Sequence, residues 1–499
     1  MRLLISLLDG TDFKLCWIGQ SQRRTNHVTV IDLIPDELLL DIFDYIVVHD
    51  VTNWQVLTQV CRRWRQIVFA SPRRLDLQLF CTNGTSVKEY LACWPAFPIV
   101  VRYECGGFRG DPTPNVEDNV VAALDSEHHS RISHIWLSVP SSLWSKLTTV
   151  MQEPFPALTS LLVIRDDGNV PSIPSGFLGG SAPCLRKIWF DGIPMPALPN
   201  LLSHKSNLVE LEISDFDTPR ADFISPAALV ACLAVLPRLK ALTVSLPTWT
   251  SQDDHWKIDP PPKTGVALPA LTSFAFLSER TYLEEFVAQI ETPRLEWIDI
   301  TFQEFLDSQI PQLTEFINRS GLKPSSFEDA KICFDDHDMV FIDLNYELDH
   351  IPFSIHISSW EETNHKVWCM VQALRQISGI LSNVGHLEID TERRWPIEDE
   401  DDDDEDEYED EDMGDADWLG LLRPFTAVET LYVCEKYGKS VARALEGMPA
   451  EIGNQVLPAL KELVLEGEPT TSTDYLFLSL QGRDRPVTIT IERSQYETH

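Results

Sequence analysis

The sequence predicts an α/β protein in two unequal parts: a small all-helical module near the N-terminus, then a long irregular solenoid with a parallel strand wall. Three observations carry this. Two apolar stripes at helical spacing lie between Ile31 and Phe69. A short apolar motif then recurs ten times between Ile132 and Leu465. Its first seven copies stand 23 to 32 residues apart, the period of a stacked supersecondary unit. The expected organisation is a tail over 1–29, the helical module over 30–74, the solenoid over 75–495 and an acidic insertion within it over 397–416. The tail lacks caps and clear periodicity, and reads either as disordered or as a short strand laid on the first repeat.

The first helix follows from Ile31 to Val47. Pro35 suits a first helical turn, where its missing N–H costs nothing. Asp36 and Glu37 favour the positive end of the helix dipole. Leu38, Leu39, Ile42, Phe43 and Ile46 then recur at helical spacing. After a break at 49–53, a second helix is expected over Trp54 to Phe69, ended by Ser71-Pro72. Two amphipathic helices this short cannot bury both apolar faces against each other. Periodicity alone fits either a hairpin packed on the rest of the chain or a module that docks elsewhere.

The residues themselves resemble the F-box pattern. Ile34-Pro35-Asp36-Glu37-Leu38-Leu39, then Ile42-Phe43, then Val60-Cys61-Arg62-Arg63-Trp64-Arg65 follow its order and separation. Ile34 stands where Leu is usual, and His49 to Trp54 lacks the usual Asp-Leu pair. The resemblance implies docking on the Skp-type adaptor of a cullin–RING ubiquitin ligase. Carried over by position, Ile34, Pro35, Leu38, Ile42, Leu57, Val60, Cys61 and Trp64 are the contact or core residues of that module.

The repeat motif is an apolar residue, two others, an apolar residue, one other, and a third apolar residue. Its copies include Ile132-Ile135-Leu137, Leu158-Leu161-Val163, Leu185-Ile188-Phe190 and Leu208-Leu211-Ile213. In six copies a Pro stands two residues ahead: Pro156, Pro183, Pro237, Pro269, Pro293 and Pro458. The closing alternation reads as a short strand. Helices are expected between strands, over Ala227 to Val235 behind Ser225-Pro226, Tyr282 to Ile290 behind Thr281, and Val367 to Leu381. The motif resembles a leucine-rich repeat without its usual Asn or Cys; Asp166, Ile193, Phe216, Pro247 and Glu279 stand there instead, which predicts uneven loops. An ordinary α/β domain is the alternative. Chain order, with Gly176 to Pro183 and Leu457-Pro458-Ala459-Leu460, resembles the large F-box family of mushroom-forming fungi, which implies the architecture but no substrate.

If the motif's apolar residues point inward, the residue between the last two faces outward. Trp136, Leu162 and Trp189 would then be neighbours on the open face, followed by Glu212, Thr243, Ala275 and Asp299. These three are the candidate target-binding residues, for a partner with an apolar anchor and a basic flank. The competing reading covers the Trp residues with another part of this chain.

Composition limits the rest. The net charge is −37 over 499 residues. The run Glu398 to Asp412 supplies 14 carboxylates, so most of the excess lies elsewhere. Such a field repels phosphate backbones and anionic lipid, so neither nucleic acid nor membrane is the expected partner. The run itself reads as a solubilising loop or as a trap for a basic tail. The 10 Cys show no Cys-x-x-Cys pair and no clustering with His, so no metal, disulfide framework or cofactor is expected. The short apolar stretch at Leu3 to Leu8 lacks a signal-peptide cleavage site, and no run approaches the length of a membrane span. An intracellular location is expected. No phosphate-binding loop, His-Glu-x-x-His or Gly-x-Ser-x-Gly element occurs, and no catalytic residue is assigned. Two functions remain: a non-catalytic substrate-recognition subunit of an SCF-type ubiquitin ligase, whose partners are the adaptor and an unknown protein target, and a ligase-independent binding scaffold.

Overall fold

Pro35 and the acidic pair behind it start helix α1 (Asp36–His49), after a 3-10 turn over Val30–Leu33. The computed structural model describes residues 30–49, 54–81, 87–88, 91, 96–104, 114–124, 126–165, 173–174, 176–180, 182–193, 198–202, 207–214, 224–246, 265–303, 309–323, 327–335, 339–346, 351–358, 363–392, 414–446, 456–466 and 487–492. The tail expected over 1–29 and the acidic run at 398–412 lie outside them. Two compact units divide between Gln78 and Leu79.

In the first unit the expected second helix is two helices, α2 (Trp54–Val60) and α3 (Arg62–Ala70). Cys61 breaks them, because it adopts an extended conformation and caps α3, its Sγ accepting from the Trp64 backbone N–H. Periodicity could not show this break: the apolar stripe continues across it. The core is built at i, i+4 and i+8 of α1 by Leu39, Phe43 and Val47, with Trp54 and Leu57 from α2 and Trp64, Ile67 and Val68 from α3. Phe43 and Trp64 lie 4.7 Å apart by ring centroids, and Trp54 donates from Nε1 to the Gln78 carbonyl at 2.9 Å. Each such side chain is worth about 1.5–3 kcal/mol when buried.

The second unit carries strands β1 (Leu79–Cys81), β2 (Ile99–Glu104), β3 (Ile132–Val139), β4 (Ser160–Arg165), β5 (Lys187–Asp191), β6 (Glu210–Ser214), β7 (Ala241–Ser245), β8 (Val266–Ala267), β9 (Ser273–Ser278), β10 (Ile290–Glu291), β11 (Trp297–Phe302), β12 (Asp329–Asp335), β13 (Met339–Leu344), β14 (Phe353–Ser358), β15 (His386–Glu392), β16 (Thr430–Val433), β17 (Glu462–Glu466) and β18 (Thr488–Glu492). Sixteen of them form one sheet in the order β1-β2-β3-β4-β5-β6-β7-β9-β11-β14-β13-β12-β15-β16-β17-β18. β8 and β10 pair separately. Every pairing in the large sheet is parallel except those of β13, which runs antiparallel to β12 and β14. The motif did not forecast this excursion, because apolar spacing along a strand carries no information about the direction in which the strand runs.

The repeat explains itself in register. Ile135, Leu161, Ile188, Leu211, Leu242, Phe274 and Ile298 are successive strand partners, and all are buried. The recurring Pro has a structural cause. In all six copies the residue after next, at the head of the motif, donates its N–H to the carbonyl of the residue before Pro, as Leu158 does to Phe155 and Leu239 to Leu236. That places each Pro at the second position of a β-turn, where its fixed φ is pre-set.

Helices pack on the inner face. Those at Ser141–Val150, Pro226–Leu233, Arg280–Val287 and Pro311–Arg319 share the buried core with the strands. Phe274 of β9 stacks with Phe286 at 5.9 Å and meets Phe316 edge-on at 6.0 Å. Ser225 caps Pro226–Leu233 as expected, its side chain accepting from Ala228 N–H. The helix expected from Tyr282 to Ile290 instead starts at Arg280 behind Glu279 and ends at Val287, while Ile290 enters β10. No helix among the described residues is long and apolar enough to cross a membrane.

Candidate functional site

The eight module residues named from the motif fall into two groups. Leu57 and Trp64 are core. Leu38, Ile42 and Val60 are 54%, 45% and 55% exposed, Pro35 and Cys61 are also exposed, and Ile34 is half-buried. Leu38, Ile42 and Tyr45 stand at i, i+4 and i+7 of α1, so they line one stripe beside the buried stripe of Leu39, Phe43 and Val47. Tyr45 and Leu33, 69% and 73% exposed, were not singled out by the motif. Apolar exposure at this density is unusual on so short a module.

Arg63 fixes the start of that face. Its guanidinium donates to Asp36 Oδ1 from Nε at 2.9 Å and Nη2 at 2.6 Å, and to the Ile34 carbonyl at 2.5 Å. α3 thereby holds the Ile34–Asp36 entry to α1. Sequence spacing left Arg63 as an unassigned motif position, since its partners lie about 30 residues away.

On the second unit, Trp136, Leu162 and Trp189 are direct partners across β3, β4 and β5. Both Trp residues are exposed, at 38% and 36%, and Leu162 is half-buried. Arg102 of β2 extends the row and sets its guanidinium 4.2 Å from the Trp136 ring centroid. The row continues through Glu212, Thr243, Ala275 and Asp299. Burial first, and then the nearby Asp191, push the Glu212 carboxyl up.

Beyond Asp299 the row crosses the antiparallel excursion, through Ser354, Asp343 and Lys331 to Glu388. Burial pushes the Asp299 carboxyl up to about 6, with His356 Nε2 3.4 Å from its Oδ1. Asp343 accepts from the Ser354 hydroxyl. Lys331 Nζ lies 2.6 Å from both Glu388 and Asp390, and Tyr346 donates to Glu388 at 2.6 Å. Burial opposes the Lys331 charge, but these two carboxylates together outweigh it and hold its pKa above the ordinary lysine value. Lys331, Tyr346, Glu388 and Asp390 satisfy one another; no group of three or more side chains that could hold a metal ion occurs among the described residues.

Residues 31–77 match the F-box-like family model. Among solved structures the chain is similar to the leucine-rich repeat-containing protein LegL7 from Legionella pneumophila, at 13% identity and a TM-score of 0.28, over 67% of this chain and 94% of that one. No curated protein matches the chain. The N-terminus is therefore an F-box-like helical domain, followed by a mixed α/β region with one long, mostly parallel sheet. F-box-like domains are generally protein-interaction modules.

Proposed function

We propose that this protein is the non-catalytic substrate-recognition subunit of an SCF-type cullin–RING ubiquitin ligase, of the kind carried by the F-box family of mushroom-forming fungi. The F-box-like domain docks on a Skp-type adaptor, and the open face of the sheet holds a protein target. The observation that carries this reading is the exposed apolar stripe of Leu38, Ile42 and Tyr45, with Val60, on a domain that matches the F-box-like model. F-box domains generally bind Skp-type adaptors, and the stripe supplies the anchors such an interface needs. The subunit accelerates modification by raising the local concentration of the target beside a bound conjugating enzyme. Trp136, Leu162 and Trp189 are the proposed target contacts, since exposed Trp residues are typical anchors of protein interfaces.

The test is co-purification with a fungal Skp adaptor in reducing buffer. Wild type should give a stoichiometric complex, and Pro35→Ala/Leu38→Asp should lose about 2 kcal/mol or more, roughly thirtyfold in Kd. Because Leu38 is exposed, the variant should keep its thermal unfolding profile. A wild-type chain that forms no complex would sink the ligase assignment and leave a binding scaffold.

A further inference from the structure

The chain carries 77 acidic and 40 basic residues, so an open cleft without a carboxylate in its lining is a departure that needs a reason. One exists at the strand-entry edge of β3 to β7. It encloses about 610 Å³ and is lined by Arg186, Lys187 and Arg238, with His134, Ser160 and Asn207 among its other residues. The backbone that presents these groups is fixed. Arg186 donates its N–H to the Thr159 carbonyl at 2.8 Å and accepts from Val209 N–H at 2.7 Å. Arg238 donates to Asn207 Oδ1, and Asn207 donates to the Pro183 carbonyl, both at 3.0 Å. Lys187 is paired with Glu210 at 2.6 Å on the exposed surface. Arg186 has no ion-pair partner among the described residues.

The cleft adjoins the aromatic row. His134, Ser160 and Lys187 stand two residues before Trp136, Leu162 and Trp189 on the same strands, hence on the same face and about 7 Å away. An apolar side chain on the Trp row would therefore bring a neighbouring acidic side chain to the cleft that Arg186 and Arg238 line. Guanidinium forks suit carboxylates, which they bind in a planar, two-pronged geometry.

We infer that this cleft and the Trp136–Trp189 row together recognise an acidic peptide segment of a partner protein, with carboxylates at Arg186 and Arg238 and an apolar anchor on the row. The inference rests on the reading of the open sheet face as the target surface, and not on adaptor docking. The occupant is chosen by local charge. Its sign is diagnostic, because the net charge of −37 alone would favour a basic ligand.

The experiment uses the full chain and two fluorescein-labelled peptides, each with a central leucine–phenylalanine pair, one flanked by glutamates and the other by lysines. Fluorescence anisotropy should show the glutamate peptide binding at least about tenfold more tightly. Arg186→Gln/Arg238→Gln should abolish that preference and Arg186→Glu/Arg238→Glu should reverse it. Trp136→Ala/Trp189→Ala should weaken both peptides. Equal binding of the two peptides, lost in the Trp variant, would overturn the acidic specificity while keeping the sheet face as a binding surface. No binding of the glutamate peptide at about 1 mM would overturn both. Pro35→Ala/Leu38→Asp should change neither result.

Discussion

At the scale of single residues, burial separates what a motif lumps together. Trp64 and Leu57 share the pattern with Leu38 and Val60, yet the first two are core and the others face outward. Trp64→Ala should destabilise the helical unit by about 3–5 kcal/mol, since it removes the ring packed on Phe43. Leu38→Asp should change stability by no more than about 0.5 kcal/mol. Chemical denaturation of both variants checks the contrast, and equal losses would refute the assignment of the two faces. Asp299 offers a second residue-scale test. Its carboxyl rises from 3.8 to about 6 through burial, so the folded state holds a proton that the unfolded state releases. The ionised form is thus penalised in the fold: the penalty is absent below about 4, grows between 4 and 6, and is complete above 6. With the side chain about one-third exposed, solvent screening leaves a cost on the order of 1 kcal/mol. Asp299→Asn should therefore stabilise the protein at pH 8, with a gain that shrinks towards pH 5. A gain independent of pH would count against this account.

At the scale of elements, backbone geometry decides matters that composition only hints at. The segment Phe177–Gly180 turns through three consecutive left-handed residues, Leu178, Gly179 and Gly180. Leu178 is wholly buried, so core packing holds a leucine where that backbone conformation costs it about 1–2 kcal/mol. Gly179 is constrained twice: its φ is +58°, and a Cβ there would lie 2.5 Å from the Pro154 nitrogen. Gly180 has a similar φ of +65° but open space. Gly180→Ala should cost about 1 kcal/mol. Gly179→Ala should cost at least about twice that, because the clash is with backbone. Thermal unfolding of the pair measures the difference, and equal costs would show that Pro154 yields. Cys61 makes the same point in the first unit. A single extended residue divides the stripe into α2 and α3 and places Arg63 within reach of Asp36.

For the molecule as a whole, charge is the property that acts everywhere. A net charge of −37 repels itself in the folded state. Raising salt from about 0.01 to about 0.1 M shortens the screening length from about 30 to about 10 Å. The melting temperature should climb over that interval, and deletion of 398–412 should flatten the climb. A melting temperature indifferent to salt in the intact chain would show that the repulsion is already neutralised locally. The Lys331–Glu388–Asp390 group is one such local neutralisation, and Lys187 with Glu210 is another.

What the sequence by itself determined is periodic. The apolar motif specified which strand residues turn inward, and the β-turn prolines marked where six of the ten repeats begin. Pro35, Asp36 and Glu37 marked the start of α1. These are local signals, because side-chain alternation, fixed proline φ and helix-end electrostatics act over a few neighbouring residues. What the tertiary structure decided is non-local. It separated Leu38, Ile42 and Val60 from Leu57 and Trp64, reversed the direction of β13, and brought Arg186 and Arg238 to one cleft beside the strands that carry Trp136 and Trp189. Those outcomes depend on which segments, tens of residues apart, share one surface. Burial and net local charge are sums over such neighbours, and no spacing along the chain contains them.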